Sequence, residues 1–373
     1  MKISCDREQL LQAFQTVSTV APARSPKPIL QNVRLDVTKD GAMLMASDME
    51  VGIRMEVQGI EVSVEGKALL PVARFGSILR ESSDEKLHIE ADPQGTTIRG
   101  ERSEFKLPGG NPDEFPDVPV FAEEKYHEVP ARLFKELVRR TLFATDTESS
   151  RYALGGVLLE FGGDKLTAVG TDGRRLAKME GPAMAVAGGT ATDTMTIVPS
   201  RAMQLIERAL TDGDAEIQIA AHASDIQVKS PRATISARLV EGRFPKWRDV
   251  LPHRSDSQKL ELSVGPVFTA VRQASIVASD ESRGILFTFA DGTLTLSGQT
   301  AEVGQSRVEL PIAYDGGEIA ISLDHRFVAD FLKVLDPEKM FTLDVKDGEA
   351  AALFTTDDGY GYVVMPLSRD GRR

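Results

Sequence analysis

Apolar residues along this chain recur at two periods. Leu10, Leu11, Phe14 and Val17 fall at i, i+3/i+4 and i+7, which places them on one face of a helix. Phe134, Leu137 and Val138 repeat that spacing, as do Val267, Phe268 and Val271. A second set of helical stretches carries Phe75, Ile78 and Leu79, then Met203, Ile206 and Leu210, then Phe327, Phe331 and Leu332. Between the two sets run β-rich segments at 33–47, 157–171 and 285–299. Each breaks at a tight turn, Asp40-Gly41, Gly163-Asp164 or Asp291-Gly292, where Asp and Gly tolerate the positive φ of a hairpin. Each second helix leads into another alternating strand, at Leu87-His88-Ile89, Ile217-Gln218-Ile219 and Phe341–Val345.

The order strand, helix, strands, helix, strands therefore occurs three times, at a spacing of about 125 residues. Solenoid repeats run ~20–50 residues, so the unit here is a whole domain. Pro108–Pro119, rich in Pro, Gly and Asp, and the polar stretch 252–257 read as linkers. The expected domains are 1–122, 126–253 and 258–373. The expected fold class is α+β, with two helices packed on antiparallel sheets in each repeat.

Composition narrows the class. A hydrophobic fraction of 41% supports packed cores. No apolar run approaches the ~20 residues that span a bilayer, so no membrane association is expected. The start, Met1-Lys2-Ile3-Ser4-Cys5-Asp6, lacks a basic stretch followed by an apolar one, so no secretory leader is expected. Cys5 is the lone cysteine, which excludes an internal disulfide and fits a reducing cytoplasm. In its strand it reads as a small buried residue rather than a nucleophile.

The net charge of −12 argues at first against nucleic acid, because phosphate binding needs clustered Lys and Arg. Sorted by element the charge looks different. The helical segments 7–18, 73–82, 131–143, 200–210, 266–277 and 324–334 hold 12 basic and 6 acidic residues. They are net positive by 6, which leaves −18 on strands and loops. If the helices share one surface, that surface is basic and the remainder acidic. The competing reading is that Arg and Lys favour helices and lie over apolar surface.

Catalytic signatures are missing. There is no phosphate-binding Walker sequence and no Gly-x-Gly-x-x-Gly after a strand. The five histidines, at 88, 127, 222, 253 and 325, lack metal-type spacing, so no metal or cofactor is expected. Carboxylate pairs such as Glu123-Glu124 sit in polar linkers. Three classes stay open on the residues alone: a protein that meets DNA with one basic face, a repeat-built scaffold that binds only proteins, and an enzyme with an unrecognised site.

Several stretches carry a family resemblance. They are Met1-Lys2, Arg7-Glu8-Gln9-Leu10-Leu11, Pro28-Ile29-Leu30, Thr171-Asp172-Gly173-Arg174-Arg175-Leu176, Val240-Glu241-Gly242-Arg243-Phe244-Pro245 and Tyr362-Val363-Val364-Met365-Pro366-Leu367. In this order, over essentially the whole length, the chain resembles the bacterial DNA polymerase III beta subunit, the sliding clamp. The resemblance implies a head-to-tail dimeric ring around duplex DNA, with helices facing the hole and sheets outside. It implies a non-enzymatic processivity factor that binds DNA without sequence preference. It also implies partners: the DNA polymerase III alpha subunit, the clamp loader and other clamp-motif proteins.

The resemblance also assigns residues. Arg24 and Lys27, in the loop Arg24–Pro28, match a DNA-facing loop; Tyr152 and Arg201 match two further DNA-contacting positions. Arg74, Arg80 and Arg139 are the helix cations expected to face DNA. The partner-peptide cleft would comprise Leu154, Thr171, Gly173, Arg175, Leu176, Pro245, Val250, Val363, Met365, Pro366 and Leu367. Phe105 and Leu107, with Ile276 and Val277, would form the dimer interface. This chain departs from the family pattern at Ala153, where some members have a second aromatic, and at Asp249, where Arg is common. The tail Ser368–Arg373 runs past the usual end and could partly cover the cleft.

Overall fold

The computed structural model describes residues 1–146, 153–189, 195–252, 254, 256–279 and 283–367. Tyr152 and the tail Ser368–Arg373 lie outside the described residues. Six α-helices occur among those residues: α1 (Arg7–Ser18), α2 (Val72–Glu81), α3 (Ala131–Thr141), α4 (Ser200–Ala209), α5 (Val264–Ala274) and α6 (His325–Lys333). Each lies on a stretch whose apolar spacing is helical. The three expected hairpins form, pairing Asn32–Thr38 with Gly41–Ser47, Gly156–Gly162 with Lys165–Thr171, and Gly284–Ala290 with Thr293–Thr300. Their turns use positive φ at Gly41, Gly163, Asp291 and Gly292.

The chain divides into two compact units, and neither is one repeat. The first comprises Met1–Lys135 and Ala183–Val240; the second comprises Glu136–Pro182 and Glu241–Arg373. The middle repeat is shared out because its strands pair with both neighbours. In the first unit, Ala233–Arg238 pairs antiparallel with Val51–Val57 of the first repeat. In the second, Arg175–Pro182 pairs antiparallel with Gly361–Val364 of the third. Sheets run through both junctions, so backbone hydrogen bonding does not stop where the repeat ends.

In the first unit α1 packs on α2 and on the hairpin strands. Phe14 and Phe75 meet edge to face at 5.0 Å, both fully buried. Each such side chain contributes ~1.5–3 kcal/mol by leaving water. Asp6 caps α1 by accepting from the Gln9 amide at 2.8 Å. At the junction, Gly52 stands opposite Ser236. A Cβ on Gly52 would lie 3.0 Å from the Val118 side chain and 3.1 Å from Ser236 Oγ, so glycine is required by close approach. The linker chain is thereby pressed onto the shared sheet, and Arg54 holds it by donating to the Val118 carbonyl at 3.0 Å.

In the second unit α5 packs on α6. Phe331 of α6 is the hub of an aromatic core, with Tyr360 and Tyr362 stacked on it at 5.4 and 5.3 Å and Phe354 at 5.1 Å. Both tyrosine hydroxyls find acceptors: Tyr360 donates to the Arg140 carbonyl at 2.9 Å and Tyr362 to the Phe327 carbonyl at 3.0 Å. Buried hydroxyls without such partners would cost several kcal/mol.

Candidate functional site

The expected residues fall into three groups, and the helix cations are the first. Arg24, Lys27, Arg74 and Arg80 are exposed, with no carboxylate partner among the described residues; Arg80 takes only the Ser77 hydroxyl, at 3.1 Å. Arg208, Arg272 and Lys333 are likewise exposed and unpaired with carboxylates, although the residue motifs had not singled them out. The other half of the helical charge is already engaged. Arg139 pairs with Glu136 at 3.0 Å, Arg132 with Asp214 at 2.9 Å, and Arg7 donates to the Leu79 and Asp84 carbonyls. Arg201 pairs with Asp48 and donates to the Thr19 and Val20 carbonyls at 3.2 and 2.9 Å, tying α4 to the end of α1. The mobile positive charge is therefore smaller than the helical count suggests.

The second group lies in the second unit, where β-strand register places four of the expected cleft residues, Thr171, Arg175, Leu176 and Val363, on neighbouring strands. Leu176 pairs with Thr171 on one side and Val363 on the other. Leu154, Thr171, Leu176 and Val363 are buried. Val250, Met365 and Leu367 are exposed apolar residues, 41%, 46% and 37% accessible. Pro245 and Pro366 are half-buried, and Gly173 is exposed at a φ of +84°. Two hydrogen bonds anchor the C-terminal segment: the Met365 amide to the Arg174 carbonyl at 2.9 Å, and the Leu367 amide to the Ser322 carbonyl at 2.8 Å. Asp249 is exposed in the short 3-10 turn Trp247–Asp249.

Arg175 differs from its neighbours because every edge of its guanidinium is used. Nε donates to Asp172 at 3.0 Å, one Nη to Asp330 at 2.5 Å, and the other to the Phe143 carbonyl at 2.7 Å. The rings of Phe327 and Phe143 lie 4.4 and 5.3 Å from its central carbon. Burial would lower its pKa, but Tyr362, Asp330 and Asp172 outweigh burial and hold it above the ordinary value. It remains a cation. Asp330, Phe327 and Phe143 were missed in the sequence because their link to Arg175 is purely spatial.

The third group involves sheet edges. Phe105, 39% exposed, and half-buried Leu107 lie on Glu104–Pro108, the edge strand of a five-stranded sheet. Ile276, 75% exposed, and half-buried Val277 lie on the turn after α5. The strand Gly304–Pro311 is the edge of a four-stranded sheet. Edges that display apolar side chains invite pairing with another chain.

Burial pushes the Cys5 thiol up to about 12, where it is inert at neutral pH. No cluster of metal-type ligands occurs among the described residues, and no helix there is long and apolar enough to cross a membrane.

A threefold repeat with helix cations that lack carboxylate partners among the described residues, and with exposed apolar side chains, fits a protein whose work is binding and assembly. Comparison with known proteins makes this specific. The DNA polymerase III beta subunit models match the chain in sequence: N-terminal domain at 1–119, central domain at 128–246 and C-terminal domain at 248–368. The chain belongs to the DNA polymerase III beta subunit family. Curated beta sliding clamps align end to end with it. The Pseudomonas putida protein is 29% identical over 98% of this chain and 100% of its own; the Chlamydia pneumoniae protein is 27% identical over 98% and 99%. A crystal structure of the Pseudomonas aeruginosa sliding clamp bound to griselimycin superposes with a TM-score of 0.90, at 27% identity and 99% coverage of both chains. The protein is a sliding clamp, a non-catalytic processivity subunit that acts as a homodimer around DNA and tethers the polymerase.

Proposed function

We propose that this clamp does its work through the three groups of residues above. Arg24, Lys27, Arg74 and Arg80 meet DNA phosphates first, since none has to break an ion pair. Arg139 and Arg201 contribute once Glu136 and Asp48 release them, and Tyr152 completes the set. Contacts of this kind carry no base information and exchange between phosphates, which suits sliding. Phe105 and Leu107 of one copy meet Ile276 and Val277 of the next, so that the head-to-tail contact closes into a ring. The repeats run 1–122, 126–253 and 258–373, and the working compartment is the cytoplasm.

An extended partner peptide fills the cleft of Leu154, Thr171, Gly173, Arg175, Leu176, Pro245, Val250, Val363, Met365, Pro366 and Leu367. The observation that supports this is the exposure of the apolar Val250, Met365 and Leu367 beside the burial of Leu154, Thr171, Leu176 and Val363. A flexible exposed Met accommodates several related ligands. The test is a titration with a fluorescein-labelled pentapeptide carrying leucine and phenylalanine anchors. Binding that Val250→Asp weakens at least tenfold is the expected result. Equal affinity for both proteins contradicts the assignment.

A further inference from the structure

The turn Thr171–Arg175 forms one wall of the proposed cleft, and its shape is fixed twice over. Locally, Asp172 accepts from the Arg174 and Arg175 amides at 2.9 and 3.0 Å. Thr171 Oγ1 donates to the Arg175 carbonyl at 2.6 Å and accepts from the Gly173 amide at 3.1 Å. These bonds set the conformation of the turn but not its distance from the third repeat.

That distance is set by strand pairing with Gly361–Val364 and by the Arg175 side chain. Asp330 lies on α6 of the third repeat, and its carboxylate takes Arg175 at 2.5 Å. On the same helix Phe327 underlies the guanidinium. The Arg175 side chain is 10% exposed and Asp330 40%, so the pair is shielded on one side and open on the other. The strand after Arg175 pairs with Gly361–Val364, and the Met365 amide returns to Arg174. A shift of Arg175 therefore moves the buried Leu176 and the exposed Met365 together.

We propose that Asp330 is a positioning residue for the partner-peptide cleft, holding Arg175 and with it the Thr171–Leu176 wall in register with Met365. It touches no ligand. The inference rests on the cleft assignment above, and its test separates the two. Without Asp330, Arg175 keeps Asp172 and the Phe143 carbonyl but loses its hydrogen bond to α6, and a loosened site loses affinity without losing the fold.

The experiment is the pentapeptide titration on the full-length dimer, with thermal melting alongside. Asp330→Asn is expected to weaken binding about tenfold, and Arg175→Gln at least as much, as for a site left loose by its supporting shell. Because Asp330 acts through Arg175, the double substitution is no weaker than Arg175→Gln alone. Asp330→Glu restores binding to within about threefold of wild type, since the charge is kept. Asp358→Asn, which removes the Arg140–Asp358 pair of the same unit, lowers the melting temperature but leaves affinity within about twofold. Wild-type affinity in Asp330→Asn, or losses that multiply in the double variant, overturns the inference. If Val250→Asp binds as well as wild type, the cleft assignment itself falls and the inference with it.

Discussion

The two junctions between repeats are built alike in backbone and differently in side chains. Each joins the middle repeat to a neighbour by one antiparallel strand pair. In the first unit the junction arginines are exposed: Arg201, 53% exposed, reaches the nearly buried Asp48, 11% exposed, and Arg238 faces Glu50 at 3.7 Å with both largely in water. The junction in the second unit relies on sunken charge, with Arg140 and Arg175 only 8% and 10% exposed. Arg140 reaches Asp358 at 2.7 Å and Glu136 at 3.0 Å, and the Tyr360 ring lies 5.2 Å from its guanidinium. An exposed pair is screened by salt and contributes little, whereas losing one partner of a buried pair strands a charge. The junction in the second unit is thus the one expected to lose more when an arginine's carboxylate is removed.

The largest expected effect comes from breaking the junction in the second unit. Asp358→Ala leaves Arg140 nearly buried with Glu136 alone, and should cost about 2–3 kcal/mol, less than a fully buried pair because Asp358 is itself partly exposed. Chemical denaturation measures it, and a loss under about 0.5 kcal/mol would erase the contrast between the junctions. Gly52→Ala should cost about 1–2 kcal/mol, since the new methyl presses on Val118 and Ser236. A neutral outcome would show that the linker chain can retreat without penalty. Glu50→Ala, which removes the exposed Arg238 pair, should cost below about 1 kcal/mol, and the loss should vanish near 1 M salt. A salt-independent loss would mean that the exposed pair behaves as a buried one.

The smallest effect concerns pH, and its sign differs between the units. In the first unit His222 lies between Asp225, at 3.1 Å, and Glu123, at 3.4 Å, in the linker segment. Burial pulls its pKa down, but the two carboxylates outweigh burial and hold it above 6.5. The stability it contributes is full below 6.5 and is lost as pH rises through the raised value. Asp358 in the second unit is the reverse case. Burial raises its pKa, but hydrogen bonds from Thr356 and Arg140 hold it below 3.8, so its contribution persists above that value and fades as pH falls through the lowered one. Melting at pH 6 and pH 8.5 should therefore show a small alkaline loss that His222→Gln abolishes. An unchanged difference in the variant would remove His222 from the account.

Much of this fold is legible in the sequence because it is local. The hairpin turns declare themselves in Asp-Gly and Gly-Asp pairs, and the helices in the spacing of residues such as Phe75, Ile78 and Leu79. The charge pattern was only half legible. Counting basic residues along helices cannot tell free Arg74 from Arg201, whose partners Asp48, Thr19 and Val20 lie far away in the chain. The cleft residues emerged from a family resemblance in short motifs, and strand register brings Thr171, Leu176 and Val363 side by side. What holds them was invisible, since Arg140–Asp358 and Arg175–Asp330 are 218 and 155 residues apart. The division into two units was hidden for the same reason: pairing between distant strands, not linker composition, decides where packing is continuous.

The central claim is that this chain holds DNA by closing around it. The direct measurement loads the labelled protein onto nicked circular DNA with a clamp loader, raises the salt to suppress phosphate contacts, and follows release before and after the circle is cut. The account predicts a two-chain complex that stays on the intact circle for many minutes and leaves within seconds of linearisation. Equal release from circle and line would contradict it.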